Sequence, residues 1–256
     1  MNRNKLILLV AMFSTGSGCA LAQNSGSTRP SFDEGLTLTG GMGYVAVRDE
    51  YLSDDKYSGS IPLVGVGWSR YHETYAFRLH VEYQYESNLK NRTVSAKMTQ
   101  FRLGLDYLYP IGETDILAHR VAFSLGPTAE VFEHYRREKI AGSEYLSSNV
   151  SLISGGIRSE AICPLNAHLQ LRAAAHLTLL SLGFRSVNSN LSVKSPTKLL
   201  TPFTGLDADA ELALSCRLIA TWHLSAGYRF NVTRVSAWDF FVSANDNLLV
   251  SLSYGL

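Results

Sequence analysis

From Gly35 onward, apolar and polar residues alternate with a period of two, the signature of strands with one apolar face. In one segment Tyr75, Phe77, Leu79, Val81, Tyr83 and Tyr85 alternate with Arg78, His80, Glu82, Gln84 and Glu86. The next sets Phe101, Leu103, Leu105, Tyr107 and Tyr109 against Gln100, Arg102, Gly104 and Asp106. Later segments oppose Leu169, Leu171, Ala173, Ala175, Leu177 and Leu179 to Gln170, Arg172, Ala174 and His176. Leu206, Ala208, Ala210 and Leu212 likewise oppose Asp207, Asp209 and Glu211, and Tyr228 and Phe230 flank Arg229. The pattern predicts an all-β protein of about ten antiparallel strands, over 36–48, 61–71, 74–87, 94–109, 118–133, 148–162, 167–185, 202–217, 220–234 and 239–255. Eight or twelve strands also fit the length.

The connections alternate too. Short ones are expected at His72-Glu73, Pro110 to Leu117, Cys163 to Asn166 and Leu218-Ile219. Long polar loops are expected at Asp49 to Ser60, Tyr135 to Ser147 and Ser186 to Thr201. Short turns at one end and long loops at the other suit an up-and-down transmembrane β-barrel with both termini at the turn end. A soluble sandwich or lipocalin-like barrel alternates as well, but the apolar face here carries an aromatic band toward each end of the strands. Tyr44, Tyr83, Tyr85, Phe101 and Tyr228 lie toward the loops; Tyr75, Phe77, Tyr107, Tyr109, Trp222 and Tyr254 lie toward the turns. Two aromatic girdles around Leu, Val and Ala are what a lipid-facing wall requires. The opposite face mixes charge with glycine (Gly41, Gly43, Gly65, Gly67, Gly104), as a narrow lumen needs.

The last ten residues, Asn247 to Leu256, put Leu248, Val250, Leu252, Tyr254 and Leu256 on one face. This resembles the final strand of small Gram-negative outer-membrane β-barrel proteins, which the barrel-assembly machinery recognises. Those chains usually end in an aromatic residue; this one ends in Leu256. The resemblance covers residues 35–256 at the level of pattern and implies an outer-membrane location, with lipid, lipopolysaccharide and the assembly machinery as partners.

The first 22 residues read as a secretory signal peptide. Arg3 and Lys5 precede an apolar run, Leu6 to Phe13, and Ala20-Leu21-Ala22 offers a small-x-small cleavage site. Residues 23–34 read as a polar lead-in to the barrel. Cleavage removes Arg3 and Lys5 and leaves 21 basic against 22 acidic residues, a balance that disfavours a nucleic-acid partner. Cys163 and Cys216 remain, too few for a disulfide framework.

The chemistry lies on the inward face. Arg78, Glu82, Arg102, Asp106, Glu160, Arg172, His176, Asp207, Asp209, Glu211 and Arg229 are expected to form a charge network that fills the lumen, with His80, Glu130, Arg158, Arg217 and His223 sharing their parity. Folding the chain about Leu218-Ile219 predicts Asp209 opposite Arg229, with His176 near Asp209 or Glu211. Neither a cofactor motif nor a metal-ligand spacing stands in the linear sequence, and no catalytic residue is assigned. Arg136-Arg137-Glu138-Lys139 reads as a charged loop, a solvated or lipopolysaccharide-facing tip rather than a nucleic-acid patch. The expected role is structural, surface-interacting (an extracellular ligand held by the loops) or that of a narrow channel. The alternative is a barrel hydrolase of protease or lipid A acyl-hydrolase type, its candidate base being His176 beside Asp207, Asp209 and Glu211.

Overall fold

A computed structural model describes residues 33–50, 53–90, 95–117, 119–139, 145–188, 197–201, 204–236 and 240–256. The expected signal peptide and most of the lead-in lie outside these residues. The described chain forms β1 (Glu34–Asp49), β2 (Ser53–Tyr71), β3 (Ala76–Lys90), β4 (Ser95–Ile116), β5 (His119–Lys139), β6 (Tyr145–Pro164), β7 (Leu169–Asn188), β8 (Thr197–Leu200), β9 (Gly205–Ile219), β10 (Trp222–Val235) and β11 (Phe241–Gly255). Ten of these form a meander that closes on itself, since β1 pairs antiparallel with β11 from Gly35↔Gly255 to Asp49↔Phe241. Closure satisfies the backbone of every wall strand, the condition for crossing lipid with strands. The short β8 lies outside this count. It pairs with Ser181–Phe184 of β7, past the point where β9 leaves that strand at Leu177.

The wall is apolar outside. Leu38, Met42, Val64, Val66, Ile153, Leu177, Leu212 and Val250 are all exposed, and they form a belt that a water-soluble surface would not sustain. Both aromatic bands stand on it. At the turn end Tyr75 stacks on Tyr107 with ring centroids 5.0 Å apart, Trp68 meets Phe77 edge-on at 5.6 Å, and Trp222 lies 4.9 Å from Tyr254.

The strands run further than the alternation suggested, and the reason is physical. Above the loop-end girdle the outside is water, so the polarity of the two faces reverses; the parity stays on β1, β4 and β5, while register shifts on β3 and β7 change it. Arg48, Lys90, Lys97 and Arg137 point outward and are exposed. Val45, Val47, Tyr57, Ile61, Leu89, Ala96, Met98, Phe132, Val150, Leu152, Val235 and Phe241 point inward and form one buried cluster. The expected long loops at Asp49 to Ser60 and Tyr135 to Ser147 are therefore largely strand: β2 starts at Ser53, β5 ends at Lys139 and β6 starts at Tyr145. The Arg136-Arg137-Glu138-Lys139 loop is likewise strand. Arg136 is fully buried, its guanidinium 4.7 Å from the centre of the Tyr57 ring and 2.5 Å from Glu138, and only Arg137 of the central pair faces solvent.

Two turn-end connections also differ from expectation. Pro110 to Leu117 is not a connection: β4 continues to Ile116, and only Leu117 and residue 118 separate it from β5. The β9–β10 turn is at Ala220-Thr221 rather than Leu218-Ile219, with a register shift beside Trp222. The turn after β6 is held by Asn166, whose Oδ1 accepts from the amides of His168 and Leu169 at 2.8 and 2.9 Å. Cys163 and Cys216 are free and half-buried.

Candidate functional site: a stratified lumen

The inward residues stack in layers along the barrel. The turn end opens into a cavity of about 230 Å³. Its wall is hydroxylic: Thr37 meets Ser253, Thr39 meets Ser251 and Ser215 meets Ser225, at 2.9, 2.9 and 2.8 Å. Arg78, Arg158, Arg172, Arg229, Glu82 and Glu211 line its deeper part. Small residues make the room. Gly104 sits against the His80 ring and Gly227 against Ala213, so a side chain at either would collide.

Above the hydroxyls lies the charge network, and every residue expected in it faces the lumen. Arg78 donates two hydrogen bonds to Glu160, the second at 2.7 Å. Arg172 reaches Glu160 at 3.3 Å and also pairs with Glu211. Arg229 clasps Glu82 in a bidentate contact at 2.8 and 2.6 Å across the lumen. Arg158 lies 3.4 Å from Asp106 and 3.5 Å from Asp209, while Thr128 donates to Asp106 at 2.8 Å. His176 Nδ1 is 3.2 Å from Asp209 and 4.0 Å from Glu130. Arg102 is the hub. It pairs with Glu130, contacts both oxygens of Asp207 at 2.9 and 3.1 Å, and lies with its guanidinium carbon 4.5 Å from the centre of the Phe132 ring. Thr233 donates to Asp207 at 2.5 Å.

One expected pairing is corrected. Asp209 stands opposite Asn231 rather than Arg229, and Arg229 faces Glu211. Moving the turn to Ala220-Thr221 slides β10 by two residues, which keeps parity and changes every partner. A double-mutant cycle is therefore expected to give a coupling of about 1.5–3 kcal/mol for Arg229→Gln with Glu82→Gln, the range of charged hydrogen bonds. For Arg229→Gln with Asp209→Asn, which no hydrogen bond or ion pair joins among the described residues, it should be clearly smaller. Unfolding in detergent measures both.

A second, amide-rich layer was not anticipated. Gln84 donates to Asn247 at 2.9 Å, Gln100 donates to Ser243 and accepts from Asn245 at 2.8 Å each, and His134 is 3.0 Å from Gln100. Its only sequence signal is that Gln84, Gln100, Asn245 and Asn247 share the inward parity. Next comes the apolar cluster, and near the loop end Arg185 pairs with Asp49, which also accepts from Ser148 at 3.1 Å. Arg185 and Asp49 fell at predicted strand ends, where a sequence offers no partner. Among the described residues, the inward side chains above the charge network are buried.

No protein-family model matches the chain, and neither does any curated protein. Among solved structures it is similar to the outer-membrane protease OmpT of Escherichia coli. The TM-score is 0.56 at 6% identity, over 94% of this chain and 99% of that one. The translocator domain of the autotransporter NalP from Neisseria meningitidis matches at a TM-score of 0.47 and 14% identity, over 99% and 95%. Neisserial surface protein A matches at 0.41 and 11%, over 86% and 97%. The fold is that of the small Gram-negative outer-membrane β-barrels.

Proposed function

We propose that this chain is an integral outer-membrane protein whose barrel is closed to solutes and which acts through its loop-end surface. The observation that carries the reading is the double block in the lumen. Paired charges line its middle, and an apolar cluster from Val45 to Phe241 packs the level above, with Arg136, Glu138 and His134 buried beside it. An ion crossing the first layer would still have to pass the buried side chains of the second, Phe132 and Phe241 among them, at a large desolvation cost.

The outward surface above the loop-side girdle supports the location. Arg48, Lys56, Lys90, Lys97, Arg137 and Arg234 are all exposed there. Arg48 stands directly opposite Lys56, and Lys97 opposite Arg137. Arg48 also pairs with Glu50 at 2.9 Å, and an exposed basic surface of this kind would attract the phosphates of lipopolysaccharide in the outer leaflet.

The hydrolase alternative would rest on His176. Its contact with Asp209 orients the ring as a base would be oriented, but His176 is only 4% exposed and does not line the cavity. That favours the non-enzymatic reading. Orientation is tested by cysteine labelling in a variant with Cys163 and Cys216 replaced by serine. An impermeant maleimide should modify Lys56→Cys on intact cells and reach Asn166→Cys only after lysis; the opposite pattern would invert the assignment of the two ends.

A further inference from the structure

The ion pairs of the lumen do not balance. Arg229 neutralises Glu82, and Arg78 with Arg172 neutralise Glu160 and Glu211. What remains is Arg102 and Arg158 against Asp106, Glu130, Asp207 and Asp209, packed around His176. With the imidazole neutral, this core holds two more carboxylates than guanidiniums, in an interior where an uncompensated charge is costly. Asp209 is nine-tenths buried against the imidazole, and its Oδ1 has the 3.5 Å ion pair with Arg158 but no hydrogen bond.

The geometry points to a binding site for one first-row divalent transition-metal ion, held by Glu130, His176 and Asp207. These three buried residues bring one ligand atom each to within 4.8 Å of one another. Closure by about an ångström would place all three at the roughly 2.0–2.2 Å that nitrogen and carboxylate ligands keep from such an ion. They come from β5, β7 and β9, far apart in sequence, so no linear spacing could announce them. The surroundings are those of a metal centre. Asp209 lies 3.2 Å from His176 Nδ1 and fixes the ring, while Arg102 bridges Glu130 and Asp207 and Thr233 donates to Asp207, so the imidazole and both carboxylates are already oriented by neighbours. Two positive charges cancel the surplus of two carboxylates. One imidazole with two carboxylates selects a transition metal over calcium, which takes six to eight oxygens. The ion enters from the turn end, because Glu130 and Asp209 line the cavity that opens there.

The test uses the refolded mature barrel, stripped with a chelator and titrated with Zn²⁺, then with Co²⁺ as a spectroscopic probe. One Zn²⁺ per chain and a rise in Tm that the chelator reverses are expected. His176→Gln and Asp207→Asn should each weaken Zn²⁺ binding at least about 100-fold, whereas Glu113→Gln, at an exposed surface pair with Arg120, should leave it unchanged. An unboiled gel shows whether each variant is a folded barrel. Should the variants fail to fold, the wild-type Co²⁺ spectrum decides: intense bands of a low-coordinate site support the proposal, and the weak bands of hydrated Co²⁺ overturn it. A folded wild-type barrel that binds no Zn²⁺, or a folded His176→Gln variant that binds it equally well, overturns it too; the two surplus charges are then met by protons.

Discussion

Replacing Arg102 with methionine is expected to destabilise the barrel by about 3–5 kcal/mol, the largest effect of any single charge removal in the lumen. Methionine keeps most of the volume and removes only the guanidinium. Glu130 and Asp207, with side chains 6% and 2% exposed, then lose their shared cation. Water from the turn-end cavity reaches one side of this hub, so the lower end of the range is expected. Arg172→Met makes the same chemical change at a side chain that is 28% exposed, where water replaces the lost contact. Its cost should stay near 1 kcal/mol, as for other ion pairs open to solvent. Equilibrium unfolding in detergent or lipid vesicles measures both. Equal costs would show that the network is hydrated throughout and is not a plug.

A charge placed on the outer wall should be nearly as damaging, and its cost should depend on depth. Val250→Arg puts a guanidinium on the exposed face of β11, between Gly40 and Ala226 of the neighbouring strands. In lipid this should cost about 2–4 kcal/mol. Leu117→Arg, at a turn residue that is 92% exposed beyond the barrel end, should cost less than about 1 kcal/mol. A water-facing wall would accept both equally, so the difference between the two variants reports the solvent around β11.

The strand number, the parity and the direction of closure were legible because a period of two is local. Each of Arg78, Glu82, Arg102, Asp207 and Arg229 reveals its face through its immediate neighbours. Partners were legible only where a turn declares itself. Glu160 and Arg172 flank the short connection expected at Cys163 to Asn166 and meet at 3.3 Å. Asp209 and Arg229 were expected to meet and do not, because Leu218 to Thr221 carries no Gly, Asn or Pro to mark the bend. The contact of Arg229 with Glu82 joins β10 to β3 across the lumen, which strand order alone does not reveal. The apolar level was missed for another reason. Val45-Ala46-Val47-Arg48 looks like a strand leaving its pattern, whereas its inward residues keep their parity and only the medium outside has changed. On β7 the register shift opposite Gly155 and Gly156 accommodates Leu179-Leu180, so that Ser181 and Arg185 still point inward.

Planar-bilayer recording of the refolded mature protein tests the closed lumen most directly. A barrel filled by the charge network and capped by the apolar cluster should insert without discrete conductance steps at moderate voltage. Removing two members of the cap, with Phe132→Gly and Phe241→Gly together, should still leave the charge layer shut. A steady, ohmic current through the wild-type protein would show that a continuous aqueous path runs past Arg102 and Phe132, and would contradict the account.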